Sequence, residues 1–256
     1  MQTVLLEKRE GFALITLNRP QAMNALSREL RRDFVAAFEN CRDDESTRVI
    51  ILTGNGPAFC AGFDLKELGS NNSENAADEV NNELARAMEE FEGPIIGAIN
   101  GHCITGGFEM ALACDVLIAS ENARFADTHA RVGMLPGWGL SQRLPRLIGL
   151  SRAREIAFTG TPVLAQQAYE WGLVNHVVPA AQLLDKAMDM AQEMCACVPH
   201  ILRQYRTLIN DGYSMPLQDA LTWEEDRAIE SAKLATAQSI EQRRQQVLRK
   251  GRSENN

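Results

Sequence analysis

The chain has 256 residues, 45% of them apolar and 23% charged, with a formal net charge of −8. Length and apolar fraction allow one sizeable core with an appended helical part, while the acidic balance argues against a surface built for nucleic acid or an anionic membrane. No stretch reaches the roughly eighteen apolar residues of a transmembrane helix, so no membrane partner is expected.

The N-terminal stretch MQTVLLEKREGFALITLN carries acidic residues and strand-like alternation and lacks the apolar centre of a signal peptide, which points to a cytoplasmic location. The six cysteines are scattered with no zinc-like pairing. Reduced, mostly buried thiols are therefore expected, and no metal site.

Phe12–Leu17 reads as a strand ended by Asn18-Arg19-Pro20. Ser27 is placed to cap a helix from about Arg28 to Cys41, where Leu30, Phe34, Ala37 and Phe38 recur at helical spacing. A polar turn over Asp43–Thr47 leads to Val49–Thr53, whose unbroken apolar character predicts a strand buried on both faces. The glycines that follow, Gly54-Asn55-Gly56, imitate the start of a dinucleotide fingerprint. The imitation fails, because Phe59 stands where the third glycine is needed and Pro57 interrupts the turn. The small residues of this loop still leave main-chain N–H and C=O groups open to a ligand. Gly69–Asp78 is polar and reads as a surface loop, followed by a helix to about Glu92.

The segment Asn100–Asp115 is the centre of interest. The buried run Ile95–Ile99 feeds into it, and Gly106-Gly107 are expected to open a helix. The first N–H groups of a helix have no internal partner and carry partial positive charge, so with no side chain in the way they can hold an oxyanion. Glu109 lies three residues beyond Gly106, about one turn on, so a carboxylate can reach the same space. A tightly packed turn with a solvated glutamate is the plain alternative.

Asp115–Ala119 reads as another strand, Phe125–Arg131 as a polar cluster, and Gly133–Gly139 as a second glycine-rich loop. Helices are predicted over Leu140–Ile148 and Arg152–Phe158, a last strand over Leu173–Val178, and helix from Ala180 to about Arg249 with breaks at Pro199 and Pro216. Strands alternating with helices predict βα units in an α/β fold. No repeat period of a solenoid is visible. His102 reads as a packing or turn residue, and His176 and His200 as structural.

Leu17-Asn18-Arg19-Pro20, Met23-Asn24-Ala25-Leu26, Ala58 to Leu65, Gly106-Gly107-Phe108-Glu109 with Cys114-Asp115, Pro136-Gly137 and Gln142-Arg143-Leu144 occur in the order and spacing of one family. By these motifs, covering nearly the whole chain, the sequence resembles the crotonase (enoyl-CoA hydratase/isomerase) superfamily. The resemblance implies a spiral of ββα units over residues 1–195 holding an acyl-CoA site. It also implies a C-terminal helical region, residues 196–256, that builds a homotrimer or hexamer. It implies an oxyanion hole made by the N–H groups of Phe63 and Gly106, with Glu109 activating water, and no cofactor beyond the CoA of the thioester substrate. Gln21, Ala22, Ala61, Gly62, Asp64, Leu65, Lys66, Gly107, Met134 and Trp138 form the implied substrate-binding set, Trp138 either walling the acyl pocket or filling the space beside it.

One departure stands out. The family's second glutamate is replaced by His129, by its spacing from Phe125 and Pro136-Gly137. His129 either supplies or relays the second proton, or is a satisfied polar residue orienting Asp127 or a water. Hydration of a trans-2-enoyl-CoA is the leading expectation. Isomerisation, hydrolysis or decarboxylation of an acyl-CoA, or binding without turnover, are the alternatives.

Overall fold

The computed structural model describes residues 2–70, 82–234, 236, 238, 240–245 and 248. Two compact units divide the chain, Met1–Arg203 and Gln204–Asn256.

In the first unit, β1 (Val4–Lys8), β2 (Phe12–Leu17), β3 (Val49–Gly54), β4 (Ala58–Cys60), β5 (Ile95–Ile99), β6 (His102–Ile104), β7 (Val116–Ser120), β8 (Arg124–Ala126), β9 (Val163–Leu164) and β10 (His176–Val178) form two sheets. Six of them run β1-β2-β3-β5-β7-β10, and the other four run β4-β6-β8-β9. β1 is antiparallel to β2, and the other neighbours in the larger sheet are parallel. β4, β6 and β8 are parallel, with β9 antiparallel at the edge. Successive pairs β3–β4, β5–β6 and β7–β8 thus each place a long strand in one sheet and a short strand in the other, with helix after each pair, which is the expected ββα spiral. The ββα units differ in length, since among the described residues two helices, Leu65–Ser70 and Glu83–Glu90, separate β4 from β5 while a single helix, Gly106–Leu112, separates β6 from β7. That inequality hides the repetition from any search for a fixed period.

The central strands β3 and β5 of the larger sheet are buried on both faces, as the apolar runs require. Ile50, Leu52, Ile95 and Ile99 join the main core with Leu30, Phe34 and Phe38 of the helix Arg28–Arg42. Val49, Ile51, Ile96 and Ala98 pack on the other side against Leu183, Ala187 and Ala191 of the helix Leu183–Cys195. Each such fully buried side chain contributes roughly 1.5–3 kcal/mol. Ser27 caps the helix Arg28–Arg42, its side chain accepting from the Leu30 N–H at 3.2 Å.

Two expectations are corrected. Asp115 does not begin β7; its carboxylate accepts the Ile95 N–H at 2.7 Å and ties the start of β5. In the run Leu173–Val178 only His176–Val178 are strand, because Asn175 bonds to Leu117 through its amide side chain as well as its main chain. The strands of the small second sheet could not be located from the residue pattern, since strands of two or three residues show no readable alternation.

The expected polar loop falls at its centre, 71–78, outside the described residues, as does Arg249. The prolines act as foreseen: Pro199 opens the helix Pro199–Gly212, where a missing N–H costs nothing, and Pro216 immediately precedes the helix Leu217–Leu234. Neither helix has a buried residue, and Tyr205, Ile209, Tyr213, Leu217 and Leu221 are exposed. No helix among the described residues is long and apolar enough to cross a membrane.

Candidate active site

Because β4 and β6 are parallel neighbours, the segments that leave their C-terminal ends come together. Gly62, at φ +85°, lies so near the other turn that a Cβ on it would sit 3.2 Å from the Gly106 nitrogen. Gly107 lies against β4, where a Cβ would overlap the Cys60 carbonyl and stand 2.7 Å from the Cys60 Cβ. Thr105 takes φ 53°, a conformation a β-branched residue rarely adopts, and it introduces the helix Gly106–Leu112. Its hydroxyl is 2.5 Å from that of Thr128 and also accepts the Thr128 N–H at 3.1 Å. Among the described residues, neither the Phe63 nor the Gly106 amide donates to another protein group. Two uncommitted N–H groups therefore occupy adjacent glycine-bearing turns.

The Phe63 turn is supported from behind by the motif around Asn24. Met23 and Asn24 both have positive φ, and Asn24 is fully buried. Its side chain accepts the Arg19 N–H at 2.8 Å and donates to the carbonyls of Asn55 and Ala58 at 3.0 and 2.7 Å. Main-chain bonds then join this segment to the turn: Ala61 N–H to Met23 O, Leu26 N–H to Gly62 O and Asp64 N–H to Leu26 O. Arg19 closes the arrangement on Asp64 at 3.1 Å.

Glu109, on the helix that starts at Gly106, is 2% exposed, which removes the plain alternative of a solvated glutamate. One carboxylate oxygen, Oε1, accepts the main-chain N–H of Trp138 at 2.7 Å and that of Leu140 at 3.4 Å. The other, Oε2, faces His129 Nε2 at 3.6 Å. On its far side the His129 ring places Nδ1 2.7 Å from Asp127 Oδ1, and both residues are buried. Burial pushes the Glu109 carboxyl above its ordinary range; the Trp138 amide, the His129 charge and the Leu140 amide oppose this, and Asp127 adds to it. A carboxylate whose proton affinity is raised in this way is suited to act as a general base.

These groups line a cleft of about 490 Å³, counting its open mouth. Of the residues expected from sequence, Ala61, Phe63, Leu65, Glu109, His129, Met134 and Trp138 line it. Gly62, Gly106 and Gly107 form the two turns beside it. Asp64 is held by Arg19; Gln21 and Ala22 belong to the 3-10 turn Pro20–Ala22, and Lys66 to the helix Leu65–Ser70. His102, His176 and His200 are not lining residues; they lie in β6, in β10 and in the helix Pro199–Gly212.

Sequence reasoning missed Thr105, Thr128, Val132, Leu135 and Gly137, which also line the cleft. The spacing of the two threonines to Gly106 and His129 was a usable signal for the first pair. Leu135, 87% exposed at the mouth, gave none. The rings of Phe63 and Trp138 meet with centroids 5.1 Å apart, and the Arg31 guanidinium lies 5.4 Å from the Phe63 centroid. Among the described residues no group of three or more His, Cys, Asp or Glu is arranged to hold a metal ion.

Comparison with known proteins shows the family. Residues 7–246 match the family model for enoyl-CoA hydratase/isomerase. The chain is 44% identical over 218 residues to a probable peroxisomal enoyl-CoA hydratase of Arabidopsis thaliana, covering 85% of this chain and 82% of that one. It is 34% identical over 229 residues to the short-chain-enoyl-CoA hydratase of Clostridium acetobutylicum, covering 88% of each. The crystal structure of an enoyl-CoA hydratase from Bacillus anthracis superimposes with a TM-score of 0.86 at 36% identity, covering 93% of both chains.

Proposed function

Because this chain belongs to the enoyl-CoA hydratase/isomerase family, we propose that it hydrates a trans-2-enoyl-CoA to the 3-hydroxyacyl-CoA. The amides of Phe63 and Gly106 hold the thioester oxygen as it gains enolate charge, an interaction strongest in the transition state. Glu109 takes a proton from the water that attacks Cβ, and His129 supplies the proton that arrives at Cα. The observation that carries this reading is the buried carboxylate of Glu109, held by two amides and facing a second proton carrier in the same cleft. Ala61, Leu65, Met134 and Trp138 contact the substrate in the cleft, and Gln21, Ala22 and Lys66 lie along the path of the nucleotide and pantetheine. CoA enters as part of the substrate, and no further cofactor is required.

Incubating the pure protein with short trans-2-enoyl-CoA thioesters and following loss of the conjugated chromophore tests the proposal. Turnover in the wild type and its loss in Glu109→Gln is the expected result. Turnover unchanged by that substitution excludes the assigned role.

The Asp127–His129 pair favours a second reading. A carboxylate-supported imidazole is also a competent general base, so hydrolysis of the thioester fits the same cleft. Mass spectrometry of products from an acyl-CoA panel separates the two, free CoA marking hydrolysis and a mass gain of one water marking hydration.

Residues 1–195 are proposed as the acyl-CoA-processing core and 196–256 as the region that builds a homotrimer or hexamer. Support comes from helices Pro199–Gly212 and Leu217–Leu234, which present apolar side chains and bury none. Light scattering reads the assembly directly. Six free cysteines, with burial pushing the Cys60 thiol up to about 12, suit a reducing compartment, and the cytoplasm is proposed.

A further inference from the structure

Asp127 has no part in the hydration steps given above, yet it lies 2.7 Å from the ring of a proposed proton carrier. We propose that Asp127 is a positioning residue. It fixes His129 as the Nδ1–H tautomer, so that the proton which comes and goes is always the one on Nε2. The inference rests on the proposed use of His129 in hydration.

The local sequence sets the geometry. In Asp127-Thr128-His129, the Asp127 Oδ1 accepts the His129 main-chain N–H at 3.0 Å and lies 2.7 Å from Nδ1 of the ring of the same residue. An ionised carboxylate can only accept, so a ring nitrogen at this distance must carry the hydrogen. Asp127 is 3% exposed and His129 6%, which keeps water from competing for either group. Nε2 is left facing Glu109 Oε2 at 3.6 Å, beyond direct hydrogen-bond distance. Glu109 spends its other oxygen on Trp138 and Leu140, so Oε2 and Nε2 are the two atoms turned toward each other beside the cleft.

The proton balance follows. With Glu109 ionised and His129 protonated on both nitrogens, water gives its proton to Glu109 and its oxygen bonds to Cβ. The C=C electron pair moves through Cα to the thioester oxygen. As the enolate collapses, Cα takes the Nε2 proton, leaving His129 neutral with its hydrogen on Nδ1. Transfer of one proton from Glu109 to Nε2, relayed by a water molecule in the cleft, restores both groups. Nδ1 never exchanges its hydrogen in the cycle. The opposite tautomer would leave Nε2 protonated in the neutral ring and unable to receive that proton.

The plain role for Asp127 is that of a turn former, and Asp127→Ala separates the two when fold and ring are read apart. Asp127 Oδ1 takes both contacts, so an asparagine oxygen would keep them both, whereas alanine removes the acceptor and releases the tautomer. Nitrogen-15 NMR of the His129 ring in the full-length wild type is expected to show Nδ1 protonated and Nε2 bare in the neutral form; the reverse pattern overturns the inference whatever the activity. For D127A with an unchanged circular dichroism spectrum, the neutral ring should lose its Nδ1–H preference and kcat for enoyl-CoA hydration should fall about 10²-fold or more, with KM within about threefold. Wild-type kcat in D127A also overturns it. His129→Gln hydrating at the wild-type rate would instead defeat the proposed use of His129, a failure the wild-type NMR pattern distinguishes from a wrong tautomer.

Discussion

The main-chain N–H of Trp138 donates to Glu109 Oε1 at 2.7 Å, while the indole of the same residue rests against the ring of Phe63. One residue thus holds the acid/base carboxylate and braces the turn that carries a proposed oxyanion donor. Trp138→Ala keeps the amide and removes the brace. It should destabilise the protein by about 3–5 kcal/mol in urea denaturation and lower kcat/KM for an enoyl-CoA, with Trp138→Phe recovering most of both. Equal kinetics in Trp138→Ala and wild type would show that the ring contact does not support the site.

Glu109 is held at a cost. Burial raises its carboxyl above the ordinary value near 4.5, so the folded state binds this proton more tightly than the unfolded state does. The resulting stability is fully present below the unfolded value and is lost as pH rises through the folded one. Glu109→Gln should therefore melt higher than wild type at pH 8, by on the order of 1 kcal/mol or about 2–4 °C, and the gap should close in acid. Activity should fall about 10²–10⁴-fold in the same variant. A melting temperature below wild type at pH 8 would contradict the account.

Gly107 has no room for a side chain, because a Cβ there would overlap the Cys60 carbonyl. Gly107→Ala must push the helix Gly106–Leu112 away from β4. A loss of about 3 kcal/mol or more is expected from such overpacking, together with weakened acyl-CoA binding in calorimetry. Gly69→Ala, where a Cβ meets nothing within 4 Å, is the matched control.

Asn24 satisfies one main-chain donor and two carbonyls while fully buried. Asn24→Ala leaves the Arg19 N–H without its acceptor and the Ala58 carbonyl with Asn100 alone, and should cost about 1–3 kcal/mol by chemical denaturation, as unpaired buried polar groups do. Its effect on turnover should appear in kcat/KM, through the Phe63 turn that the Asn24 segment supports. A stability within 0.5 kcal/mol of wild type, roughly the scatter of neutral surface changes, would refute this role.

The long strands were legible because burial on both faces leaves an uninterrupted apolar run, as in Val49–Thr53 and Ile95–Ile99. The helix Arg28–Arg42 was legible from its cap and apolar spacing. Glu109 could be singled out because glycines and an acid stood one turn apart after a buried strand. The small sheet could not, since β4, β6, β8 and β9 have no more than three residues each. The pairing of Asp127 with His129 stood only as one of two alternatives, since it depends on side-chain direction in a turn and not on residue type. Asn24 was visible only as part of a family motif; its support of the Phe63 turn depends on contacts with Asn55 and Ala58 that lie about thirty residues away in sequence.

A crystal structure with an unreactive acyl-CoA bound tests the central claim most directly. The thioester oxygen should lie about 2.7–3.1 Å from the nitrogens of both Phe63 and Gly106, with Cβ facing Glu109 and Cα facing His129 Nε2. A thioester oxygen that reaches neither amide, or an acyl chain seated away from Glu109, would contradict it.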